Sequence, residues 1–505
     1  MELDKKILDF IQKQEKIYVG SRKQVPPGRE VHKGPRGGTF YYVGEKAKSE
    51  HIEIESIKKH LLPKLYQLFK KNKYELFEVG GSVRDELMGR KSEDIDLTSN
   101  ARPEEIKRLL EESGMGSVFT VGKEFGTIGL NLKDIKIEIT TYRDEVYASE
   151  SRKPTVRFGK DLLKDLARRD FTINDIARNP LSGELIDPFN GERDIKEGVI
   201  RCVGDDSRLE EDPLRMLRAV RFACRLGFQM RLKMAHPERL QIISKERIQD
   251  EFVKILMTQY PAWGVDEMVK RGLMKNIIPE VLELRNIEQG RHHFKDAYGH
   301  TLLVLDKTKG FDFGPRENAI LRLAALLHDI AKPLTKTESD GEVHFYNHQA
   351  IGAQMVKEIL PRLKFDSETT KRVANLVHWH MSFITLEDKQ INRRNILRLI
   401  NRVGRPDIYL ELALVTCDTQ SHNVVNHERL ARLRTDIDEA LKVQPEPPDS
   451  PLSGEDIMAL FGIKPGKPVG QVKDYLKNLV SSGELAQEDK AAAVERAKAY
   501  WERKK

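Results

Sequence analysis

Two aspartates, Asp94 and Asp96, stand two residues apart in Glu93-Asp-Ile-Asp-Leu97, shortly after the run Phe77-Glu-Val-Gly-Gly-Ser-Val-Arg84. Residues two apart on a strand point to one face, so the spacing predicts two carboxylates side by side. Gly80 and Gly81 let the backbone approach a bulky anion, and Ser82 can donate a hydroxyl to it. Paired carboxylates beside a phosphate-sized notch suit divalent metals and a nucleoside triphosphate. Each feature alone is common in turns and loops; together they point to chemistry. The elements needed to hold them are a half-buried strand over Tyr74–Val79, a turn, a short helix and a second strand carrying the carboxylates.

With Arg84 in the helix that follows, these residues resemble the Gly-Gly-x-Val-Arg-Asp … Asp-x-Asp signature of the class II tRNA nucleotidyltransferases (CCA-adding enzymes) and bacterial poly(A) polymerases. Further blocks extend the resemblance. Asp165-Leu-Ala-Arg-Arg-Asp-Phe-Thr-Ile-Asn174 offers Arg168 and Arg169 as planar, always-charged phosphate clamps. Asp170 and Asn174, four apart, would share one face of a helix and reach a ribose. This run is similar to the family's ribose-selecting block. Glu138 and Arg143 match a family segment near the catalytic carboxylates. Glu138 on its own reads equally well as an ordinary strand residue. The family's mobile loop falls near Ser151-Arg-Lys-Pro154, one residue longer here, with Glu150 where an acid is expected.

The third block is Glu210-Glu-Asp-Pro-Leu-Arg215. Asp212 before Pro213 is a good helix start, which alone explains that aspartate. Arg215, Arg218 and Arg221 then recur every third residue. A chemical reading coexists with the structural one. Cytosine and adenine share an exocyclic amine beside an unprotonated ring nitrogen; a carboxylate accepts from the first and a guanidinium donates to the second. Uracil and guanine would leave both groups mispaired. Asp212 and Arg215, three apart on a helix, suit this, and they match the family's Glu-Asp-x-x-Arg amino-acid template. Glu246-Arg-Ile-Gln-Asp-Glu251 resembles a further family block and is read as structural, through ion pairs.

A separate constellation runs His300, His328-Asp329, His348, His380, Asp418. A lone histidine is usually a core or surface residue, but this order resembles the HD-type metal phosphohydrolases. Imidazole and carboxylate ligands suit a divalent transition metal that activates water against a phosphate ester. His378 competes for the fourth place; His380 is preferred for its position before Met381.

The 505 residues suffice for several domains, and 33% charged with 39% hydrophobic residues fits a mostly helical soluble protein. A net charge of +7 permits a nucleic-acid partner without demanding one. Cys202, Cys224 and Cys417 form no ligand or redox pair. No apolar run approaches the ~20 residues of a membrane span, and no signal-peptide pattern is present, so the expectation is a cytoplasmic protein without a membrane partner. The expected fold is an α/β nucleotidyltransferase head, a mixed sheet with helices, followed by a mostly α-helical neck, body, HD domain and tail. Expected divisions are an appendage over residues 1–50, as a small β-hairpin or a flexible tether, and a head over 51–200. A nucleotide-selecting, RNA-binding neck over 201–290, an HD domain over 291–440 and a linker with helical tail over 441–505 follow.

The resemblance implies CCA addition from CTP and ATP to the tRNA 3′ end by two-metal phosphoryl transfer. Asp94 and Asp96 would hold Mg²⁺. Gly80, Gly81, Ser82 and Arg84 would hold the triphosphate, and Arg168, Arg169, Asp170 and Asn174 would position the nucleotide. Asp212 and Arg215, with Arg218 beside them, would select the base. HD-site hydrolysis of a phosphate ester is a second expected activity. A poly(A) polymerase, a partial CC- or A-adding enzyme, and an HD phosphohydrolase with an RNA-binding head are the alternatives. The sequence alone leaves oligomeric state, the HD metal and the role of residues 1–50 open.

Overall fold

A computed structural model describes residues 16–19, 32–33, 39–42, 60–90, 95–121, 126–132, 135–146, 155–289, 295–339, 341–382, 393–421, 427–443, 449–481 and 484–503. The chain divides into two compact units, Met1–Glu211 with Gln229–Leu232, and Asp212–Phe228 with Lys233–Lys505.

In the first unit, β1 (Lys16–Val19), β2 (His32–Lys33) and β3 (Thr39–Tyr42) form an antiparallel sheet in the order β1-β3-β2. In the region expected to be a small β-hairpin or a flexible tether, β3 has a partner on each side. The head sheet is built from β4 (Leu76–Val79), β5 (Ile95–Ser99), β6 (Ser117–Val121), β7 (Thr127–Leu132), β8 (Ile135–Thr141), β11 (Ala177–Arg178) and β12 (Leu185–Ile186). Their order is β12-β11-β4-β5-β8-β7-β6. Only β5 and β8 pair in parallel, so the sheet is mixed. β9 (Arg143–Val146) and β10 (Thr155–Phe158) make a separate antiparallel pair. β13 (Val199–Ile200) and β14 (Gln229–Met230) pair in parallel.

Strand alternation decides which face is functional. Ile95 and Leu97 of β5, and Ile137 and Ile139 of β8, point into one apolar cluster. Leu61, Leu65 and Phe69 of the helix over residues 60–71 join that cluster, as do Ile106, Leu109 and Leu110 of the helix Pro103–Ser113. The opposite face therefore receives the alternate residues Asp96 and Glu138, which are register partners across the parallel pair. Val79, Tyr142, Leu162 and Leu166 form a smaller apolar cluster.

The second unit is helical. In its neck, the helix Leu214–Leu226 packs against the helices Lys245–Leu256 and Pro261–Lys270. Gly264 permits this close approach, since a Cβ there would come within 2.7 Å of Ile255 and 2.8 Å of Cys224 Sγ. Further helices follow, among them Ala297–Lys307, Pro315–Leu327, His348–Arg362, Ser367–Trp379, Arg393–Val403 and Ile408–Thr419. A short hairpin of β15 (Lys336–Ser339) and β16 (Glu342–Phe345) interrupts them. The helices Gly454–Phe461, Lys467–Ser481 and Lys490–Glu502 close over their own core, with Phe461 stacked on Trp501 at 4.6 Å. Among the described residues, no helix is long and apolar enough to cross a membrane.

Candidate functional site

Gly80 connects β4 to the helix Gly81–Leu87 with φ 75° and ψ −138°, a combination reserved for glycine. A Cβ on Gly80 would stand 3.6 Å from Asp96 Oδ2 and 3.6 Å from Arg169 Nη1. The turn, the carboxylate and the arginine thus meet at one point. Asp94 lies outside the described residues, as do Glu150 and the segment Ser151–Pro154. Glu138 is the neighbour of Asp96 across the sheet and also pairs with Lys136.

Two expected phosphate contacts are placed differently. Ser82 is buried and its hydroxyl donates to Val79 O at 3.2 Å. Arg84 is also buried. Its guanidinium donates to Asp85 Oδ1 at 2.8 and 2.6 Å and to Asn174 Oδ1 at 2.6 Å. Asn174 in turn donates to Asp170 Oδ1 at 3.3 Å, which also accepts from Phe171 N at 2.9 Å. Arg84 therefore positions Asn174 and Asp170 from inside the fold.

Asp170 and Asn174 meet, but not on the expected helix. The helix Leu162–Ala167 stops short, and Thr172–Asn174 forms a single 3₁₀ turn. Phe171 and Ile173, two apart, are both fully buried, and Phe171 bridges to Cys202. Asp170 to Ala177 are all buried, leaving no exposed side of the kind a surface helix keeps, and Phe171 is held by its bridge to Cys202 instead of a helical turn.

Arg168 and Arg169 are held by Asp165, to which the sequence reading gave no role. The fully buried Asp165 accepts from Arg168 Nη2 at 2.8 Å, Arg169 Nη2 at 3.1 Å and the amide of Arg143 at 3.0 Å. Burial opposes its ionisation, but Arg169, Arg168 and that amide outweigh burial and hold its carboxyl below the usual range. The signal was available: an acid three and four residues before two arginines is a helical ion-pair pattern.

Asp175 is different. It is fully buried, and neither oxygen has a hydrogen-bond partner among the described residues; Arg169 Nε stands 4.0 Å away. Burial pushes its carboxyl up to about 9 against the opposing pull of Arg169. A raised folded value means stability is greatest below the unfolded value of about 3.9 and declines as pH rises toward about 9. Asp175→Asn should therefore raise the melting temperature more at pH 8 than at pH 5. The gain grows by at most about 1.4 kcal/mol per pH unit. Thermal melts across that range check this, and an equal shift at both pH values overturns it.

In the second unit, Pro213 caps the helix Leu214–Leu226, one residue after the expected position. Asp212 still binds the helix start: Oδ1 accepts from Leu214 N at 3.2 Å, and Oδ2 from Arg247 Nη2 at 2.8 Å. Arg215 is buried one turn on. Arg218 lies over the Phe222 ring at 5.5 Å and 3.9 Å from Glu251, whose other oxygen accepts from Arg221 at 2.7 Å.

The HD-type cluster is also buried. His300 Nε2 and Asp418 Oδ1 are 2.9 Å apart, and His328 Nε2 and Asp329 Oδ2 3.1 Å. His348 and His380 bring their Nε2 atoms within 3.3 Å of one another. His328, His348 and His380 all have Nδ1 on the carbonyl three residues earlier, at Ala325, Phe345 and Val377, 2.7–2.9 Å away. Donation there leaves lone pairs on Nε2, and two lone pairs facing each other require a shared cation or proton. Burial pushes the His380 imidazole down to about 3. Two overlapping donor groups, His300–His328–Asp329 and Asp329–His348–His380, fit divalent metal. His378 is outside both, edge-on to Trp379 at 4.5 Å. Lys332 Nζ, 2.7 Å from Asp329 Oδ2, is an addition that sequence reading missed.

A mixed-sheet head carrying a carboxylate at a glycine turn, in one chain with an HD domain, defines a nucleotidyltransferase. Family models agree: the Poly A polymerase head domain matches residues 76–201, the probable RNA and SrmB-binding site of polymerase A residues 231–284, and the HD domain residues 297–406. The chain belongs to the tRNA nucleotidyltransferase family. It is 32% identical to an A-adding tRNA nucleotidyltransferase of Deinococcus radiodurans, over 82% of this chain and 93% of the relative. A CC-adding tRNA nucleotidyltransferase of Thermus thermophilus is 31% identical over 83% and 92%. A CCA-adding enzyme of Ligilactobacillus salivarius is 30% identical over 85% and 94%. The fold is that of the Bacillus stearothermophilus CCA-adding enzyme solved with CTP, with TM-score 0.59 and 23% identity over 87% of this chain and 98% of the other.

Proposed function

We propose that this chain is a CCA-adding tRNA nucleotidyltransferase, joining C and A from CTP and ATP to the tRNA 3′ end without a nucleic-acid template. The observation that carries the reading is Asp96 beside the Gly80 turn and Arg169. Asp94 and Asp96 would hold Mg²⁺, which supplies charge neutralisation at phosphate oxygens and makes a hydroxyl easier to ionise. The backbone at Gly80 and Gly81 admits the triphosphate closely. Arg168 and Arg169, locked by Asp165, offer it fixed positive charge. The RNA 3′-hydroxyl attacks the α-phosphorus in line, and pyrophosphate leaves. Asp212 accepts from the base amine and Arg215 donates to the ring nitrogen.

Relatives that add A, CC and CCA are almost equally similar, so substrate decides between them. A tRNA lacking its 3′ end is incubated with labelled CTP and ATP, singly and together. The proposal expects C addition from CTP alone and completion only with both. ATP-only incorporation into any RNA points to a poly(A) polymerase, and CC-only or A-only products to a partial enzyme.

The histidine cluster favours a second activity, hydrolysis of a phosphate ester such as a monophosphate or cyclic nucleotide. Its donor set suits a divalent transition metal. Chelation should abolish hydrolysis, and one of Mn²⁺, Co²⁺ or Ni²⁺ should restore it. Absence of hydrolysis with every metal rejects this second activity.

A further inference from the structure

Asp212 discriminates bases only while its carboxylate is held in one orientation, facing the amine that cytosine and adenine carry where uracil and guanine present a carbonyl oxygen. A rotated carboxylate would miss the amine, and one free to turn would lose side-chain entropy on holding it.

The Arg247 contact answers both. Oδ1 of Asp212 is tied to Leu214 N, which anchors the carboxylate to the start of its own helix. Oδ2 is tied to Arg247 Nη2 at 2.8 Å, from the first turn of the helix Lys245–Leu256. The two helices are clasped again where Arg221 meets the buried Glu251 at 2.7 Å, so Arg247 is delivered from a fixed platform. The Asp212 side chain is 18% exposed and that of Arg247 44%. A guanidinium is planar and always charged, so its bond to Oδ2 has a fixed direction. An ionised carboxylate has about four acceptor sites, so the two existing bonds leave room for an amine.

We propose that Arg247 is a positioning residue that determines base specificity: it holds the Asp212 carboxylate in one orientation, so that only bases offering an amino donor are accepted. This rests on the reading of Asp212 and Arg215 as the base-selecting pair. The test uses full-length protein and a tRNA lacking its 3′ end, with kcat/KM measured for CTP and UTP. Variants are Arg247→Met, Arg247→Lys and Asp212→Asn, each checked for a native melting transition. Arg247→Met should lower the CTP-over-UTP ratio by about tenfold or more, equivalent to about 1.4 kcal/mol of discrimination. Arg247→Lys should restore most of it. If Arg247→Met slows both nucleotides equally or leaves the ratio within about twofold, while Asp212→Asn collapses it, the role of Arg247 is refuted and the base-selecting pair stands. If Asp212→Asn also leaves the ratio intact, the pair falls and Arg247 with it. Failure of the unaltered protein to extend tRNA overturns the functional reading and this proposal together.

Discussion

Alanine at Asp96 is expected to lower the rate of nucleotide addition by about three orders of magnitude or more, since the proposed role as a catalytic metal ligand carries several kcal/mol of transition-state stabilisation. The fold should survive. Asp96 lies on β5 between Ile95 and Leu97, whose side chains anchor the strand in the apolar cluster on the opposite face. Nothing in that cluster changes when the carboxylate is removed. Glu138 stays next door in the sheet, but it is committed to Lys136 and offers an incomplete substitute. Single-turnover extension of labelled tRNA reads the rate, and a thermal melt reads the fold. Activity within about tenfold of the parent would remove Asp96 from the mechanism.

Asparagine at Asp165 should be nearly as damaging, for another reason. One fully buried carboxylate fixes two guanidiniums, so its loss loosens both of their orientations and removes the counter-charge they share. Breaking a buried ion pair from one side costs about 3–5 kcal/mol of stability. Catalytic efficiency should fall about a hundredfold for CTP and ATP alike, because misplaced clamps lose positioning whatever the base. A selective effect on one nucleotide would contradict the clamp assignment. The stability cost carries a pH signature. Asp165 is depressed in the folded state, so its contribution is present above the unfolded value of about 3.9 and is lost as pH falls through the folded one. The melting-temperature gap between parent and variant should be flat from pH 6 to 8 and narrow below about pH 4.

The features legible in the sequence were those set by short spacing. A glycine pair, a strand-parity acid, adjacent arginines and an adjacent His-Asp need only local geometry to be recognised, and the class of fold followed from them. What the sequence hid depended on partners far along the chain. The resemblance placed the Glu138 segment near the carboxylates, but its register opposite Asp96 is set by β5 pairing with β8. Arg247 on Asp212 joins residues 35 apart. Arg84 looked like a surface phosphate contact because nothing local says that Asn174, 90 residues on, takes its guanidinium. Asp170 and Asn174 were placed on a helix because their four-residue spacing suits one. The continuous burial from Asp170 to Ala177, with Phe171 bridged to Cys202, overrode that spacing. Asp175 carried no signal at all, since only depth separates it from any surface aspartate.

The three imidazoles steered by the carbonyls of Ala325, Phe345 and Val377 take their aim from the main chain of their own turns. Those Nδ1 anchors do not depend on any neighbouring side chain. Substitutions around the cluster can therefore alter its surroundings while the rings keep their aim, an evolvability less open to the glycine-turn site, where Arg168 and Arg169 take theirs from the Asp165 side chain.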